Sequence, residues 1–275
     1  MPSNREAYFQ ALSLDIPKSV IDFALKEVNG FDYLQLTKYF DDEIKDYALF
    51  MSAMKRYQNG EMIEYVFEKT YFLSNPFFVN KNVLIPRQET EQLVLSTIEN
   101  IKQMFGDHPI TIADVCTGSG AIGISIAKSL PNNTYFFTDI SKEALRVAKT
   151  NITSLLENVS VKCLEGDMLE PLKEKKLDVL VCNPPYISDI DSIDKRTWEQ
   201  EPHLALIADP STLYYEKVLK EYRSVMNEIC LLAFEIGEEM TEDLTILVSK
   251  YCPNADFYFE KDIYGKTRFL FIKQQ

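Results

Sequence analysis

The segment ITIADVCTGSGAIGISIA, residues 110–127, is the part of the sequence that most strongly predicts the fold. Its apolar, β-branched start predicts a strand, and the glycines that follow predict a tight turn into a helix. Gly118, Gly120 and Gly123 form a G-x-G-x-x-G pattern, and Asp139 follows near the end of the next predicted strand. Such glycines let the backbone approach a nucleotide, and an acid at that place accepts hydrogen bonds from ribose hydroxyls. The segment therefore predicts a nucleotide site.

Strands and helices alternate on the carboxyl-terminal side of this segment. The pattern predicts an α/β fold with a doubly wound, seven-stranded Rossmann-like sheet and helices on both faces. The last two strands are separated by a short turn and are predicted to form an antiparallel hairpin at the edge of the sheet. The predicted strands are residues 110–115, 134–139, 159–166, 177–182, 229–236, 256–260 and 268–273.

Two further regions are predicted on the amino-terminal side. Residues 1–61 predict a helical bundle that includes a helix over residues 41–60, with acidic residues at its start and basic residues at its end. Within the bundle, Pro17 is predicted at a first helical position and Gly30 just after the end of that helix.

Residues 62–88 are aromatic and β-branched and predict a β-hairpin linker, whose strands are expected at 64–72 and 76–85. Residues 89–275 are then the catalytic α/β domain.

Composition excludes several classes of protein. The 275 residues carry a net charge of −13, with −3 in residues 1–90 and −10 in residues 91–275, which disfavours stable nucleic-acid binding. No apolar run reaches the length of a membrane span and no secretion signal begins the sequence, so a cytoplasmic protein without membrane attachment is expected. Five cysteines without C-x-x-C spacing and two histidines predict neither disulfides nor a metal site. A monomer is expected.

The residue just before the glycine loop favours one nucleotide over another. Asp114 lies at the end of the first sheet strand, where its charge would repel the pyrophosphate of NAD. The same charge suits the ammonium and sulfonium groups of S-adenosylmethionine, whose ribose suits Asp139. Thr117, Gly118, Ser119 and Gly120 would form the rest of this cofactor loop.

The turn Asn183-Pro184-Pro185-Tyr186 follows the predicted strand 177–182 at the same edge of the sheet. Two prolines remove two donors and hold the backbone rigid, so the Pro184 carbonyl and the Asn183 side chain offer two acceptors to a planar NH2 group. Tyr186 would offer a flat face for stacking. Asn183, Pro184 and Tyr186 are therefore predicted to be catalytic, and the four residues together to bind the substrate. Catalysis would consist mainly of positioning a weakly nucleophilic nitrogen beside the methyl donor.

Three more residues are predicted at the cofactor. Asp167 follows the strand 159–166 and would contact the adenine amino group, with Met168 packing on the ring. Asn183 is expected to border the cofactor as well as the substrate. The predicted product is S-adenosylhomocysteine, and no metal is predicted.

With these residues in place, the sequence resembles the class I S-adenosylmethionine-dependent methyltransferases, and specifically the release factor glutamine methyltransferases. The resemblance covers nearly the whole chain, with Gln88 and Pro210 replacing a family proline and glycine, Cys116 a glycine, and Met168 a tryptophan. It is carried by NVLIPRQETE (82–91), DVCTGSGAIGIS (114–125), TDISKEALRVAKTN (138–151), CNPPYI (182–187), EPHLAL (201–206), DPSTLYYEKV (209–218), FEIG (234–237) and DIYGKTR (262–268).

The resemblance implies a substrate and a layout. The substrate would be the glutamine side chain of the Gly-Gly-Gln motif in bacterial class 1 peptide chain release factors, methylated on the amide nitrogen. The amino-terminal helical domain would help to hold the release factor.

Three alternatives stay open at the level of sequence. An N-P-P-Y methyltransferase acting on an exocyclic amine of a DNA or RNA base would share the same turn, although it must also flip the base and hold phosphates. The glycine pattern alone also fits an NAD-dependent oxidoreductase. A binding module that kept the fold without activity is the third.

Overall fold

A computed structural model describes residues 1–275 and divides the chain into two compact units. The first unit consists of Met1–Lys69 with Asp194–Gln200, and the second of Thr70–Ile193 with Glu201–Gln275. The range predicted as a separate linker, 62–88, is thus shared between the two units. No helix is both long enough and apolar enough to cross a membrane.

The first unit is helical. Its helices pack around a buried core that includes Ile21, Leu25 and Phe50, and Asn29 joins the segments through hydrogen bonds to Asn4 and to the Lys45 backbone. Its elements are α1 (Asn4–Leu12), α2 (Lys18–Asn29), α3 (Tyr33–Lys38), α4 (Tyr47–Gln58), α5 (Ile63–Val66) and α9 (Lys195–Gln200). In α9, the Arg196 guanidinium lies 3.7 Å from the centroid of the Tyr57 ring of α4.

Helix ends in this unit agree with the sequence at some places and differ at others. Gly30 follows α2 in the left-handed conformation, as predicted, whereas Pro17 is the cap that precedes α2 and not its first residue. The helix predicted over 41–60 begins only at Tyr47, because the Asp46 side chain accepts a hydrogen bond from the Leu49 amide and caps α4 there.

The hairpin is shorter than predicted. It consists of β1 (Lys69–Phe72) and β2 (Asn75–Phe78), joined by Leu73 and Ser74, both with positive φ. The prediction of strands over 64–72 and 76–85 was therefore wrong at both outer ends. Residues 63–66 form α5, which buries Ile63 and Tyr65, and residues 79–85 form no strand.

The second unit contains a seven-stranded sheet, which confirms the predicted Rossmann-like α/β fold. The strand order is β5-β4-β3-β6-β7-β9-β8, in which β9 is antiparallel to both of its neighbours and the other pairs are parallel. The strands are β3 (Thr111–Val115), β4 (Thr134–Asp139), β5 (Ser160–Glu165), β6 (Leu177–Cys182), β7 (Met226–Glu235), β8 (Asp256–Lys261) and β9 (Thr267–Gln274).

Helices cover both faces of this sheet because its central strands are apolar on both sides. On one face the core contains residues such as Ile112 and Phe137, and on the other face Val115 and Phe234. Helices α6 and α7 pack on the first face, and α10 and α11 on the second. The helices of this unit are α6 (Gln88–Phe105), α7 (Ala121–Ser129), α8 (Lys142–Leu155), α10 (Leu213–Glu221) and α11 (Thr241–Tyr251). Strands β3, β4 and β6 therefore end together at one edge, where the predicted site residues lie.

Candidate active site

The loop after β3 forms the turn that the glycines predicted. Cys116, Gly118 and Gly120 all have positive φ, and Gly120 immediately precedes α7. A Cβ atom added to Gly118 would meet no heavy atom within 4 Å, so open space lies beside the backbone at this point. The loop is therefore able to admit a ligand close to its main chain.

Asp114 lies beneath this loop and does not line a cavity. Its side chain is fully buried, and its Oδ2 accepts hydrogen bonds from Thr117 Oγ1 at 2.6 Å and from the Gly123 amide at 2.9 Å. Asp114 was predicted to bind the cofactor, but in the structure its carboxylate holds the turn and does not reach the cavity. Its Oδ1 has no hydrogen-bond partner, and burial raises the pKa of Asp114 to about 7.

Asp139 ends β4, and its side chain is directed toward the loop. Its Oδ2 accepts a hydrogen bond from the Gly118 amide at 2.9 Å, and its Oδ1 accepts one from the Ser141 amide at 2.9 Å. Burial raises the pKa of Asp139, and these backbone hydrogen bonds oppose that rise. Each carboxylate oxygen keeps a second lone pair, which is the chemistry that a pair of ribose hydroxyls requires.

A cavity of about 350 Å³ opens between these elements. Asp139 and Asn183 both border it, so the glycine loop and the N-P-P-Y turn share one space. The predicted residues on its wall are Thr117, Gly118, Ser119, Asp139, Asp167, Met168, Asn183 and Pro185. The predicted residues that do not line it are Asp114, Gly120, Pro184 and Tyr186.

The N-P-P-Y turn is held at both ends. It follows Cys182, which pairs with Val115 in the sheet, and is followed by Ile187, whose amide donates to the Leu206 carbonyl at 3.0 Å. The Ile187 carbonyl accepts from the Ala208 amide, also at 3.0 Å. The turn is thus pinned between the sheet and the segment that carries the EPHLAL sequence.

Tyr186, which was predicted to stack on the substrate, makes a contact through its hydroxyl group. Its hydroxyl lies 3.4 Å from Oε1 of Glu235, the last residue of β7, and its ring does not border the cavity. Glu235 is buried, and its Oε2 accepts a hydrogen bond from Thr90 Oγ1 at 2.5 Å. Burial raises the pKa of Glu235, while the hydrogen bond from Thr90 and the charge of Arg268 oppose that rise.

Asp167 and Met168 border the cavity, each with a neighbour that the sequence did not reveal. Asp167 forms an ion pair with Lys217 of α10, so only part of the carboxylate is left for a ligand. Met168 is nearly buried, and its Sδ lies 3.6 Å from Cys116 Sγ. Lys217 also borders the cavity.

Sequence reasoning missed other residues on the cavity wall. Ile140 directly follows Asp139 and is exposed despite its apolar side chain, and Tyr214 enters from α10. Ile140 could have been predicted from the sequence, because a residue just beyond the end of a parallel strand lies at the edge of the sheet where ligands bind. Tyr214 and Lys217 had no local signal, since only tertiary packing brings α10 to the cavity.

Arg87 also borders the cavity, and a buried carboxylate holds it there. The Glu201 side chain is fully buried, forms an ion pair with Arg87, and accepts a hydrogen bond from the Ile85 amide at 2.9 Å. This contact joins the residues that follow the hairpin to the start of the EPHLAL segment. No group of three or more His, Cys, Asp or Glu side chains is placed to hold a metal ion.

Known proteins resemble the chain in sequence and in fold. Residues 89–200 match the family described as "Methyltransferase small domain". A release factor glutamine methyltransferase of Bacillus anthracis is 37% identical over 82% of this chain and 80% of its own length. One of Flavobacterium psychrophilum is 32% identical over 90% of this chain and 92% of its own length.

A solved structure of a ribosomal protein L11 methylase from Lactobacillus delbrueckii subsp. bulgaricus covers 72% of this chain and 84% of its own. Its TM-score of 0.50 at 20% sequence identity supports the methyltransferase fold alone. The alignments with the sequence relatives include residues of both units of the chain. These relatives therefore support a more specific family than the solved structure does. The chain belongs to the family of release factor glutamine methyltransferases.

Proposed function

We propose that this protein transfers a methyl group from S-adenosylmethionine to the side-chain amide nitrogen of the glutamine in the Gly-Gly-Gln motif of class 1 peptide chain release factors. The observation that carries the proposal is the shared cavity, on whose wall Asn183 and Pro185 lie with Gly118 and Asp139. The relatives are release factor glutamine methyltransferases, which supports the choice of substrate. The same proposal places the reaction in the cytoplasm, with the protein acting as a monomer and without stable nucleic-acid binding.

The residues on the wall suit this cofactor. Asp139 would accept the ribose hydroxyls, Ile140 and Met168 would pack on the adenine ring, and the free part of the Asp167 carboxylate would accept from the adenine amino group. The open space beside Gly118 would admit the amino-acid portion. When bound, S-adenosylmethionine supplies a methyl group on a positively charged sulfur, and S-adenosylhomocysteine is the product.

The N-P-P-Y turn would hold the substrate nitrogen. An amide nitrogen is a poor nucleophile because its lone pair is delocalised into the carbonyl group. Hydrogen bonds from its two N–H groups to the Asn183 side chain and the Pro184 carbonyl would orient it toward the methyl group and favour a pyramidal nitrogen. Most of the rate enhancement would come from this positioning. Because Tyr186 contacts Glu235 and not the cavity, we assign it to support of the turn in place of stacking.

The direct test is incubation of the protein with labelled S-adenosylmethionine and a purified class 1 release factor, followed by peptide mapping. We expect one methyl group on the glutamine of the Gly-Gly-Gln motif. A control release factor in which that glutamine is replaced by alanine should take up no label. Label at any other residue, or incorporation into DNA or RNA supplied in its place, contradicts the proposal.

A variant of the protein tests the role of the turn. Asn183→Ala should lower kcat by at least about 100-fold, because the substrate nitrogen loses one of its two acceptors. The Kd for S-adenosylhomocysteine should change by less than about threefold. Wild-type turnover by this variant would remove the proposed mechanism.

A further inference from the structure

We propose that Asn151 is a positioning residue for methyl transfer: its side chain joins the cofactor loop, at Ser119, to the end of the hairpin, at Phe78, and so fixes the distance between two walls of the cavity. This inference rests on the proposed function. It assigns a task to a buried amide on α8 that does not itself border the cavity.

Both ends of the Asn151 side-chain amide are hydrogen-bonded. Asn151 is fully buried, and its Nδ2 donates one hydrogen bond to the Phe78 carbonyl and one to the Ser119 carbonyl, each at 2.9 Å. Its Oδ1 accepts from the Phe78 amide at 2.7 Å. An asparagine NH2 group has two hydrogens, so both are used. The orientation of the amide is therefore fixed, because a flip would break all three hydrogen bonds.

The cofactor loop is held from behind by α8. Gly118 and Gly120 have positive φ, and Ser119 lies between them. Ser119 borders the cavity, so the hydrogen bond from Asn151 holds a part of the cavity wall. Helix α8 also lies close to the loop at a second point, since a Cβ atom added to Gly120 would be 3.5 Å from the Cβ atom of Ala148.

Phe78 ends β2 and precedes a second wall of the cavity. Residues 79–87, the wall segment, contribute five residues to it, namely Asn82, Val83, Leu84, Pro86 and Arg87. The far end of the wall segment is held by Glu201, which accepts a hydrogen bond from the Ile85 amide at 2.9 Å. Asn151 holds the near end through Phe78, so buried side chains anchor the wall segment at both ends.

The separation of the two walls matters for the reaction. Through Glu201, the wall segment is joined to residues 201–208, whose backbone hydrogen bonds to Ile187 hold the N-P-P-Y turn. A bound cofactor would lie against the loop, so a shift of the loop relative to the wall segment would move the methyl group relative to the substrate nitrogen at Asn183. Misplacement of reacting groups by about 1 Å lowers rates by about 100-fold. Asn151 thus aligns the methyl donor and the acceptor without contacting either.

Hydrogen exchange tests this connection in the wild-type protein. Residues 75–78 form β2 and do not border the cavity. Because Asn151 joins them to the loop, S-adenosylhomocysteine should slow exchange in residues 75–79 by at least about twofold, as well as in residues 116–120. Protection of residues 116–120 with no change in residues 75–79 overturns the inference.

Asn151→Asp removes the two donors with little change in shape. The carboxylate still accepts from the Phe78 amide but has no hydrogen for the two carbonyls. We expect the Kd for S-adenosylhomocysteine to rise on the order of tenfold and kcat to fall on the order of tenfold. The KM for the release factor should change by less than about threefold, since the hydrogen bonds that hold the N-P-P-Y turn are kept.

Asn151→Ala is the second variant, because a buried carboxylate can by itself unfold a protein. Alanine removes all three hydrogen bonds without adding a charge and favours the helical conformation of α8. In this variant, S-adenosylhomocysteine should still protect residues 116–120 but no longer residues 75–79. A role of Asn151 in stability alone would leave the ligand-induced protection of residues 75–79 unchanged and would overturn the inference.

Asn133 provides the matched control. Its Oδ1 accepts from the Ile110 amide at 2.9 Å and its Nδ2 donates to the Leu130 carbonyl at 3.0 Å. It therefore also joins two segments, but it precedes β4 and does not border the cavity. Asn133→Asp should leave kcat and the Kd for S-adenosylhomocysteine within about twofold of wild type. Equal losses in Asn133→Asp and Asn151→Asp would show a general sensitivity to lost asparagine hydrogen bonds and would overturn the inference.

Failure of the inference differs from failure of the proposed function. If wild-type protein does not methylate the release factor, the proposed function fails, whereas the exchange measurement needs no release factor. If wild type is active and Asn151→Ala keeps both its full kcat and the ligand-induced protection of residues 75–79, only the positioning role fails.

Discussion

Two acidic residues at the ends of adjacent strands have different tasks, although the sequence assigned both to the cofactor. Asp139 lines the cavity, with each oxygen held by one backbone amide. Asp114 is fully buried and holds the loop through Thr117 and Gly123. Burial without a countercharge is costly for a carboxylate, and this cost makes Asp114 sensitive to pH.

Asp114 should make the ligand-free protein less stable as the pH rises. Its pKa in the folded state is about 7, raised from 3.8, so the folded state binds the proton more tightly than the unfolded state. The stabilisation is complete below about pH 4 and is lost as the pH rises through about 7, by up to about 4 kcal/mol. Denaturant unfolding of wild type and Asp114→Asn at pH 4 and pH 8 measures this. The stability of wild type relative to the variant should fall between these two pH values, and a constant difference would contradict the prediction.

Gly123 is required for packing and not for flexibility. A Cβ atom there would lie 2.3 Å from a ring carbon of Phe137 and 2.8 Å from Asp114 Oδ2. Gly123→Ala should therefore destabilise the protein by about 1–3 kcal/mol, as overpacking does in other cores. Ser125→Ala on the same helix is the control, since its buried hydroxyl has no partner and its loss should cost little. Thermal unfolding measures the stability of both variants. Equal stability of Gly123→Ala and Ser125→Ala would contradict the prediction.

The sequence predicted which residues line the cavity better than it predicted how their neighbours are oriented. Asp139, Asn183 and the loop around Gly118 were predicted from position alone, because the ends of parallel strands meet at one edge. The orientation of Tyr186 depends on Glu235, a residue 49 positions away in the chain. No local pattern encodes such a contact.

Among the helices and strands, too, some features were predicted closely and others were not. The strands of the sheet were predicted closely because their apolar runs are bounded by turns, as for β3 and β6. The first strand of the predicted hairpin was placed too early, because the amino acids at 63–66 are types that are common in strands. In the structure these residues form a helical turn, which buries Ile63 and Tyr65. Tertiary burial outweighed local propensity there.

The start of α4 can be tested directly. Acidic residues from position 41 onward predicted an earlier start, whereas the structure places the cap at Asp46. Asp46→Ala should destabilise the helical unit by about 1 kcal/mol, since the Leu49 amide loses its acceptor. Asp42→Ala, at an exposed side chain outside any helix, should change stability by less than about 0.5 kcal/mol. Chemical denaturation of both variants decides between the two starting points, and a larger effect at Asp42 would favour the earlier one.

At the scale of the whole molecule, all residues of the cavity wall belong to the second unit. S-adenosylhomocysteine should therefore slow amide hydrogen exchange in residues 116–120 and 139–141, where the Gly118 and Ser141 amides bond to Asp139. At a concentration of 100 times Kd, the ligand should stabilise the folded protein by about 2.7 kcal/mol. Exchange mass spectrometry of the full chain measures both effects. Protection confined to α1–α4 would show that the ligand binds elsewhere.

The sulfur atom of Cys116 makes this cavity accessible to a simple chemical probe. Cys182, Cys230 and Cys252 are buried, whereas Cys116 is partly exposed on the cavity wall. Alkylation by iodoacetamide should be fast at Cys116 in the free protein and blocked when a ligand fills the space. Cys163 is partly exposed on β5, away from the cavity, and provides an internal reference within the same digest. The protein thus carries a natural reporter of occupancy, readable without any labelled methyl donor.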